Sequence, residues 1–162
     1  MGNRPDDQAP ARRRVFAGAD CRSAIADSRS FAWPVRVYWE DTDAGGVVYH
    51  AGYLRFFERA RTEWLRASAI GQQRLREELG VVFVVHQMNI QFNRPARLDD
   101  LLSATVAGVE LRSASFSVVQ CLLREDEAKP LVEAQVRIAC LDALRWRPRA
   151  IPEFLLEEIA RL

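Results

Sequence analysis

The sequence predicts an α+β fold in which an antiparallel sheet of about five strands is wrapped around one long central helix. A first stretch, Val35 to Trp39, alternates apolar and amphipathic side chains as a half-buried strand does. Apolar residues then recur at helical spacing for roughly four to five turns. Four further segments follow without an intervening helix, which favours α+β over a parallel βαβ sheet.

Composition predicts one globular domain, which we place at residues 33–162. The chain has 162 residues, 49% of them hydrophobic and 28% charged, so it can bury a substantial core. Residues 1–32 contain prolines, serines and an arginine run at 12–14 but few large apolar groups, and we interpret them as a flexible N-terminal extension.

Charge and hydropathy narrow the function classes. A net charge of +1 gives no argument for a nucleic-acid partner or an anionic membrane. No secretory signal follows the arginine run, and no apolar stretch approaches the roughly 18 residues of a membrane span. We therefore expect a cytoplasmic protein without stable membrane insertion.

The first strand and the long helix flank a loop. Pro34 can open a strand without breaking it. From about His50 the period becomes helical, and one face of the helix carries Tyr53, Phe57, Ala60 and Trp64. Gly71 breaks this helix, and a short amphipathic turn then ends at Gly80.

The second half of the chain reads as strands. Residues 81–92, 101–111 and 113–123 have strand patterns, and a polar connection follows at 124–130. The clearest alternation places Val132, Ala134, Val136, Ile138 and Cys140 inward. Residues 143–148 are a candidate edge element, and Pro152 and Glu153 open a terminal helix.

The three cysteines, Cys21, Cys121 and Cys140, are odd in number, far apart and without a CxxC pair. This pattern favours reduced thiols over a disulfide framework. Cys121 and Cys140 lie in strand-like runs, so we expect them to pack in the core.

Polar groups concentrate in the loop before the long helix, which contains Glu40, Asp41, Asp43, the pair Gly45–Gly46 and His50. A loop carboxylate therefore precedes a helix N-terminus, whose free N–H groups and positive dipole end can hold developing negative charge. One carboxylate beside one oxyanion-binding helix end suits acyl transfer.

Two blocks of sequence carry a family resemblance. The first comprises Arg36, Val37, Tyr38, Glu40, Asp41, Thr42, Asp43, Gly46, Val47, Val48, Tyr49, His50, Tyr53 and Leu54, continued by Glu58, Arg59, Ala60, Arg61, Thr62 and Glu63. The second is Asn93, Arg94, Pro95, Ala96, Arg97, Leu98, Asp99 and Asp100. From about Val35 to Leu162 the chain resembles YbgC-like acyl-CoA thioesterases, in the 4-hydroxybenzoyl-CoA thioesterase branch of the hot-dog fold.

The resemblance implies a fold, an activity and an assembly. It implies the hot-dog fold and hydrolysis of an acyl-CoA to a free acid and coenzyme A. Such proteins usually form homodimers or homotetramers with active sites at the subunit interface, and acyl-carrier protein is a plausible partner. Coenzyme A enters as part of the substrate, and no metal or redox cofactor is implied.

By the same resemblance, Asp43 corresponds to the catalytic loop aspartate. It would activate water as a general base or attack the carbonyl as a nucleophile, and both readings remain open. The structural alternative is a turn or helix cap. His50 matches the histidine at the helix entrance, whose backbone N–H can polarise the thioester carbonyl, and a capping or surface histidine is its alternative. Asp41 and Glu40 are expected to be solvated or to support the loop.

Four other positions are predicted to bind substrate: Gly46, Val48, Tyr49 and Tyr53. For the two tyrosines, packing in the core is the competing interpretation.

The long helix and the second block add further candidates. Another hot-dog branch uses a helix carboxylate, but Glu58 and Glu63 have Arg61 and Arg59 at ion-pair spacing, which explains them more simply. Arg94 and Arg97 are candidates for holding the coenzyme A phosphates, although surface solubility explains them equally well.

Other chemistries lack their sequence devices. There is no GxSxG nucleophile elbow, no GxGxxG or P-loop, and no metal-ligand spacing among the two histidines and three cysteines. Two rival functions remain. One is a dehydratase or isomerase that shares the fold and acts beside the thioester, and the other, of a different class, is a non-catalytic acyl-binding scaffold connected with the Tol-Pal envelope system.

Overall fold

The computed structural model describes residues 21–26, 30–68, 70–125 and 127–161. In chain order the elements are α1 (Cys21–Ala26), β1 (Phe31–Arg36), a short 3-10 helix (Trp39–Asp41), α2 (Gly52–Ala67), α3 (Gln72–Leu79), β2 (Val81–Phe92), β3 (Leu101–Arg112), β4 (Ser115–Arg124), β5 (Val132–Asp142) and α4 (Glu153–Arg161). The predicted α+β order is confirmed.

The five strands form one antiparallel sheet in the order β1-β3-β4-β5-β2. The strand before the long helix and the strand after it therefore lie at opposite edges. No helix in these described ranges is long and apolar enough to cross a membrane.

The helix α2 packs on one face of the sheet. The predicted inward residues Tyr53, Phe57, Ala60 and Trp64 are all buried, together with Phe56 and Leu65. Burying these large side chains against the strands stabilises the fold, because each removes apolar surface from water. Gln120 of β4 also faces α2, since its Nε2 donates to the carbonyl of Phe57 at 3.1 Å.

Two strands show how well alternation predicts burial. In β5 the five predicted inward residues are buried. In β2 the register shifts between Val85 and Gln87, so His86 is an extra residue in the ladder. Beyond it Met88 and Ile90 are half-buried and Phe92 is exposed.

Parts of the predicted N-terminal extension lie in the fold. The predicted boundary at residue 32 falls inside β1, which begins at Phe31 and pairs with β3 as far as Val106. Helix α1 contacts β3 and β4. Residues 1–20 and 27–29 lie outside the described residues.

The prediction of three reduced thiols is wrong. A disulfide joins Cys21 to Cys121 across a sequence separation of 100, and Cys140 alone is a free, buried cysteine among the described residues. The bond lies in a small second core with Ala107 and Val119. Side chains alternate along β4, so Cys121 points away from α2, and α1 covers the opposite face of the sheet. Sequence separation concealed this proximity.

The predicted edge element at 143–148 is a turn with one isolated bridge, between Leu141 and Pro148. The short helix α3 ends as predicted, because Gly80 adopts the left-handed conformation with φ of 62°.

Candidate active site

The loop between β1 and α2 is anchored to the segment before β3. Val37 donates its N–H to the carbonyl of Asp100 at 3.1 Å, and Asp99 donates to the carbonyl of Val37 at 3.1 Å. The two blocks that carry the family resemblance therefore touch in space.

Asp41 is the internal support of this loop. The residue is buried, at 3% exposure, and Oδ2 accepts a hydrogen bond from the N–H of Tyr38 at 3.0 Å. Its backbone carbonyl accepts from Tyr49 at 2.9 Å, and Arg55 Nη2 lies 3.6 Å from Oδ1. The supporting role predicted for Asp41 is thus confirmed, while Glu40 is exposed.

Asp43 lies at the start of a tight turn. Its backbone N–H donates to Val47 at 2.9 Å, and its carbonyl accepts from Gly46 at 3.0 Å. Its carboxylate is exposed, and Oδ1 accepts the N–H of Gly45 at 2.8 Å. Within the described part of the chain, Oδ2 has no hydrogen-bond or ion-pair partner. One carboxylate oxygen therefore holds the turn and the other is available to a ligand.

The two glycines of this turn serve different purposes. Gly46 has φ of 71°, a backbone conformation that L side chains rarely adopt, and the space around its Cα is open. A Cβ on Gly45 would lie 3.0 Å from Asp43 Oδ1, so glycine lets the carboxylate approach the backbone.

The start of α2 presents free backbone donors. Gly52 donates to the carbonyl of Tyr49 at 2.7 Å and Leu54 to that of Ala51 at 3.3 Å. The N–H groups of His50 and Ala51 have no acceptor among the described residues. His50 is exposed, and its ring centroid lies 4.3 Å from that of Tyr49, which is half-exposed.

Ala96 of the second block connects the loop to the helix. Its carbonyl accepts the N–H of Val48 at 2.9 Å, and its own N–H donates to Tyr53 Oη at 2.9 Å. Val48 and Tyr53, both predicted to bind substrate, are buried, and their hydrogen bonds to Ala96 hold the loop and the helix together. Substrate contact by either stays a prediction.

Burial, a hydrogen bond and nearby charges shift the pKa of the Tyr53 hydroxyl in both directions, and the pKa is raised overall. Burial raises its pKa, and the negative charges of Asp100 and Asp43 raise it further. The hydrogen bond from Ala96 and the positive charge of Arg124 act in the opposite direction.

A network of partly buried ion pairs supports the second block, residues 93–100. The sequence did not predict this network. Arg124 Nη2 lies 2.8 Å from Asp100 Oδ2 and 3.2 Å from the carbonyl of Pro95, and Nη1 lies 2.7 Å from Glu127 Oε1. Partial burial would raise the pKa of Asp100, but the hydrogen bonds from Arg124 and the Arg97 N–H lower it below its usual range. The pairing of β3 with β4 brings these residues together.

The predicted phosphate-binding arginines differ in surroundings. Arg94 forms an ion pair with Glu127, whereas Arg97 is exposed. Phosphate binding by either stays a prediction.

Neither ion pair predicted on the long helix, Glu58 with Arg61 or Glu63 with Arg59, is among the ion pairs of the described residues. Glu58 Oε1 accepts a hydrogen bond from Thr62 at 2.7 Å, and Glu63 pairs with Arg66. Arg61 instead donates to Gln120 Oε1 at 2.7 Å. It lines a cavity of about 340 Å³ between α2 and β2, together with Glu58 and Phe83.

Comparison with known proteins places these residues in a family context. The model of the thioesterase-like superfamily matches residues 37–159. The chain is 47% identical over 128 residues to the acyl-CoA thioester hydrolase YbgC of Escherichia coli O6:H1, covering 79% of this chain and 94% of the relative. It is 48% identical over 123 residues to the acyl-CoA thioesterase YbgC of Haemophilus influenzae, covering 76% and 89%.

A solved structure of a related protein has the same fold. A probable thioesterase from Bartonella henselae superposes with a TM-score of 0.71 at 38% identity, covering 76% of this chain and 99% of that one.

Proposed function

The chain belongs to the thioesterase-like superfamily, has the hot-dog fold and is a thioester hydrolase, and we propose that its substrates are acyl-CoA thioesters. The observation that carries the proposal is that only one of the two carboxylate oxygens of Asp43 is hydrogen-bonded among the described residues. Its Oδ1 is held by Gly45 while Oδ2 is unpartnered among the described residues, in the loop that leads to the free N–H groups at the start of α2.

In the proposed reaction Asp43 acts on the thioester carbonyl carbon. Its free oxygen either removes a proton from the attacking water or attacks the carbon itself, and water then releases the acyl group. The carbon–sulfur bond breaks, and the coenzyme A thiolate leaves and takes up a proton. The products are a carboxylic acid and coenzyme A, and the reaction requires water but no metal or redox cofactor.

The N–H of His50, supported by that of Ala51 and the helix dipole, would stabilise the oxyanion that forms on the carbonyl. The His50 imidazole is exposed beside Tyr49 and can orient water or the leaving thiolate. The open space at Gly46 would let the thioester approach the backbone.

The proposed assembly is a homodimer, or a homotetramer built from dimers, with active sites at the subunit interface. It is supported by the outer edge of β2, a strand of 12 residues whose only pairing partner in the described part of the chain is β5. An unpaired edge of this length invites pairing with a second copy. Light scattering of the purified protein should give at least twice the 18.5 kDa mass of the chain.

Coenzyme A release from a panel of acyl-CoAs, followed with a thiol reagent, tests the function. Asp43→Asn should lower kcat/KM by about a hundredfold or more, roughly 3 kcal/mol of transition-state stabilisation. Asparagine keeps an oxygen acceptor for the Gly45 N–H but cannot act as base or nucleophile. The matched control is Glu40→Gln, an exposed carboxylate in the same loop, which should stay within about twofold of wild type.

Two results would contradict parts of this proposal. If Asp43→Asn retains activity while Asp43→Ala loses it, the carboxylate only holds the turn, and Glu58 and Glu63 become the candidates. Activity on thioesters of acyl-carrier protein, with none on any acyl-CoA, would keep the hydrolase class and overturn the substrate.

A further inference from the structure

The disulfide between Cys21 and Cys121 joins a short peripheral helix to the middle of the sheet. Cys121 lies in β4, the central strand of the five, and its N–H donates to Thr105 Oγ1 at 3.1 Å. Cys21 opens α1, a helix of six residues that contacts β3 and β4. A helix this short is not stable on its own in water. One end of the bond is therefore fixed by the strand ladder, and the other lies on an element that depends on its attachment.

The apolar cluster beneath α1 is small and separate. Its members are Cys21, Ala107, Val119 and Cys121, and none of them belongs to the main core around α2. Among the side chains of α1 that the structure describes, Cys21 is buried, whereas Ser23 and Ala26 are exposed. Segments with few buried apolar contacts open more readily than the rest of a fold. Breaking the bond would thus release α1 while the main core stays packed.

The third cysteine is separated from this pair by the sheet. Cys140 is a buried residue of β5 and belongs to the main core on the α2 face, whereas Cys121 points to the opposite face. Burial also raises the pKa of the Cys140 thiol, so little of the reactive thiolate forms there. Thiol–disulfide exchange is therefore confined to Cys21 and Cys121.

We propose that the bond between Cys21 and Cys121 is a reversible redox switch, which holds α1 on the sheet when oxidised and releases it when reduced. The reductant is a dithiol. One of its thiolates attacks Cys21 Sγ, the bond to Cys121 breaks, and the Cys121 thiolate takes up a proton. The second thiol of the reductant attacks the mixed disulfide and frees the Cys21 thiol. Two electrons and two protons pass to the protein, and the dithiol becomes a disulfide.

Release of α1 uncovers one patch of the sheet. The uncovered residues are Ala107, Val119 and Cys121, whose thiol then becomes open to modification by other disulfides. The loop of Asp43 is anchored elsewhere, to the segment before β3, and α2 packs in the main core. The switch therefore opens the face of the sheet opposite α2, while the α2 face keeps its packing.

Hydrogen exchange read by mass spectrometry tests the release of α1. The full chain is equilibrated with either oxidised or reduced dithiothreitol, without denaturant. Reduction should raise the exchange rates of residues 21–26 by about tenfold or more, while those of α2 stay within about twofold. Returning the reduced protein to oxidised dithiothreitol should restore the protection.

Labelling with a maleimide identifies the thiols. In the native reduced protein Cys121 should react at least about tenfold faster than Cys140, whereas the oxidised protein should show no fast reaction. Cys21→Ser removes the bond from the side of the peripheral helix, so residues 21–26 should exchange as in the reduced wild type, with or without dithiol. The matched control, Cys140→Ala, keeps the bond and should respond to dithiol like the wild type.

Four results would overturn the proposal. If residues 21–26 keep their protection after reduction, α1 docks without the bond. If α2 loses protection together with α1, the bond holds the whole domain. A bond that yields to dithiol only after the protein is unfolded is structural and does not switch. Equal labelling of Cys140 and Cys121 would mean that the opening is not confined to one face of the sheet.

Discussion

Asp41 and Asp43 lie in one loop, but their carboxylates have different surroundings. Asp41 is buried, and its two carboxylate oxygens accept the N–H of Tyr38 and pair with Arg55. Asp43 is exposed, and one of its carboxylate oxygens accepts the N–H of Gly45. A buried, satisfied carboxylate supports a backbone, whereas an exposed one with a free lone pair can react. This difference separates the supporting aspartate from the proposed catalytic one.

Tyr53 provides a prediction at the residue scale. Tyr53→Phe removes the oxygen that accepts the buried N–H of Ala96 and leaves that donor unsatisfied. We expect the free energy of unfolding to fall by about 1–3 kcal/mol, measured by urea denaturation. Tyr49→Phe makes the same change at a half-exposed position and should alter stability by less than about 0.5 kcal/mol. Equal losses in both variants would contradict this role.

Residue types and their spacing predicted part of the site but not the contacts between residues far apart in the chain. The motif singled out Asp43 and His50, and the structure gives each a free group. The hydrogen bonds that join Tyr53 and Val48 to Ala96 were not predicted, because Ala96 lies more than 40 positions along the chain from each. Helical spacing did favour the core for Tyr53, and that signal described its environment correctly.

At the scale of elements, the Asp100–Arg124 pair joins the segment before β3 to the end of β4. Because the folded-state pKa of Asp100 is lowered, its contribution to stability is present above the unfolded pKa of about 3.9. It is lost as the pH falls through the lower folded value. Asp100→Asn should therefore be less stable than wild type at pH 7, by about 1–2 kcal/mol, and the difference should shrink below about pH 4.

The matched control for this pH dependence is Asp99→Asn. Asp99 is exposed and has φ of 67°, a conformation that asparagine tolerates. Urea denaturation between pH 7 and pH 3 should show no comparable loss for it. A difference between Asp100→Asn and wild type that stays constant across this range would rule out the ionised pair as the cause.

Elements differed in how well sequence predicted them. In β5 five alternating apolar residues identified the buried face, since a regular ladder preserves the period of two. In β2 the extra residue at His86 has no signature in an alternating pattern, so the register shift was missed. Helix α1 has six residues, too few for a helical period to show.

At the scale of the whole molecule, the disulfide fastens α1 to the face of the sheet opposite α2. Cross-linking residues so far apart restricts the unfolded chain strongly. We expect Cys121→Ala to lower the free energy of unfolding by about 2–4 kcal/mol, measured by urea denaturation.

Controls for this prediction come from the bond itself. Cys21→Ala and the double variant should lose about as much as Cys121→Ala, because all three remove one bond. A reducing agent should bring the wild type to the same level and leave the variants unchanged. Additive losses, or a wild type indifferent to the reductant, would contradict a stabilising disulfide.

The bond between Cys21 and Cys121 also closes a covalent ring. Inside that ring lie the loop of Asp43, all of α2 and the segment of Ala96, whereas Arg124, which braces that segment, lies just outside it. A single proteolytic nick anywhere in the ring would leave both fragments tied together, with the proposed catalytic loop and its support still joined.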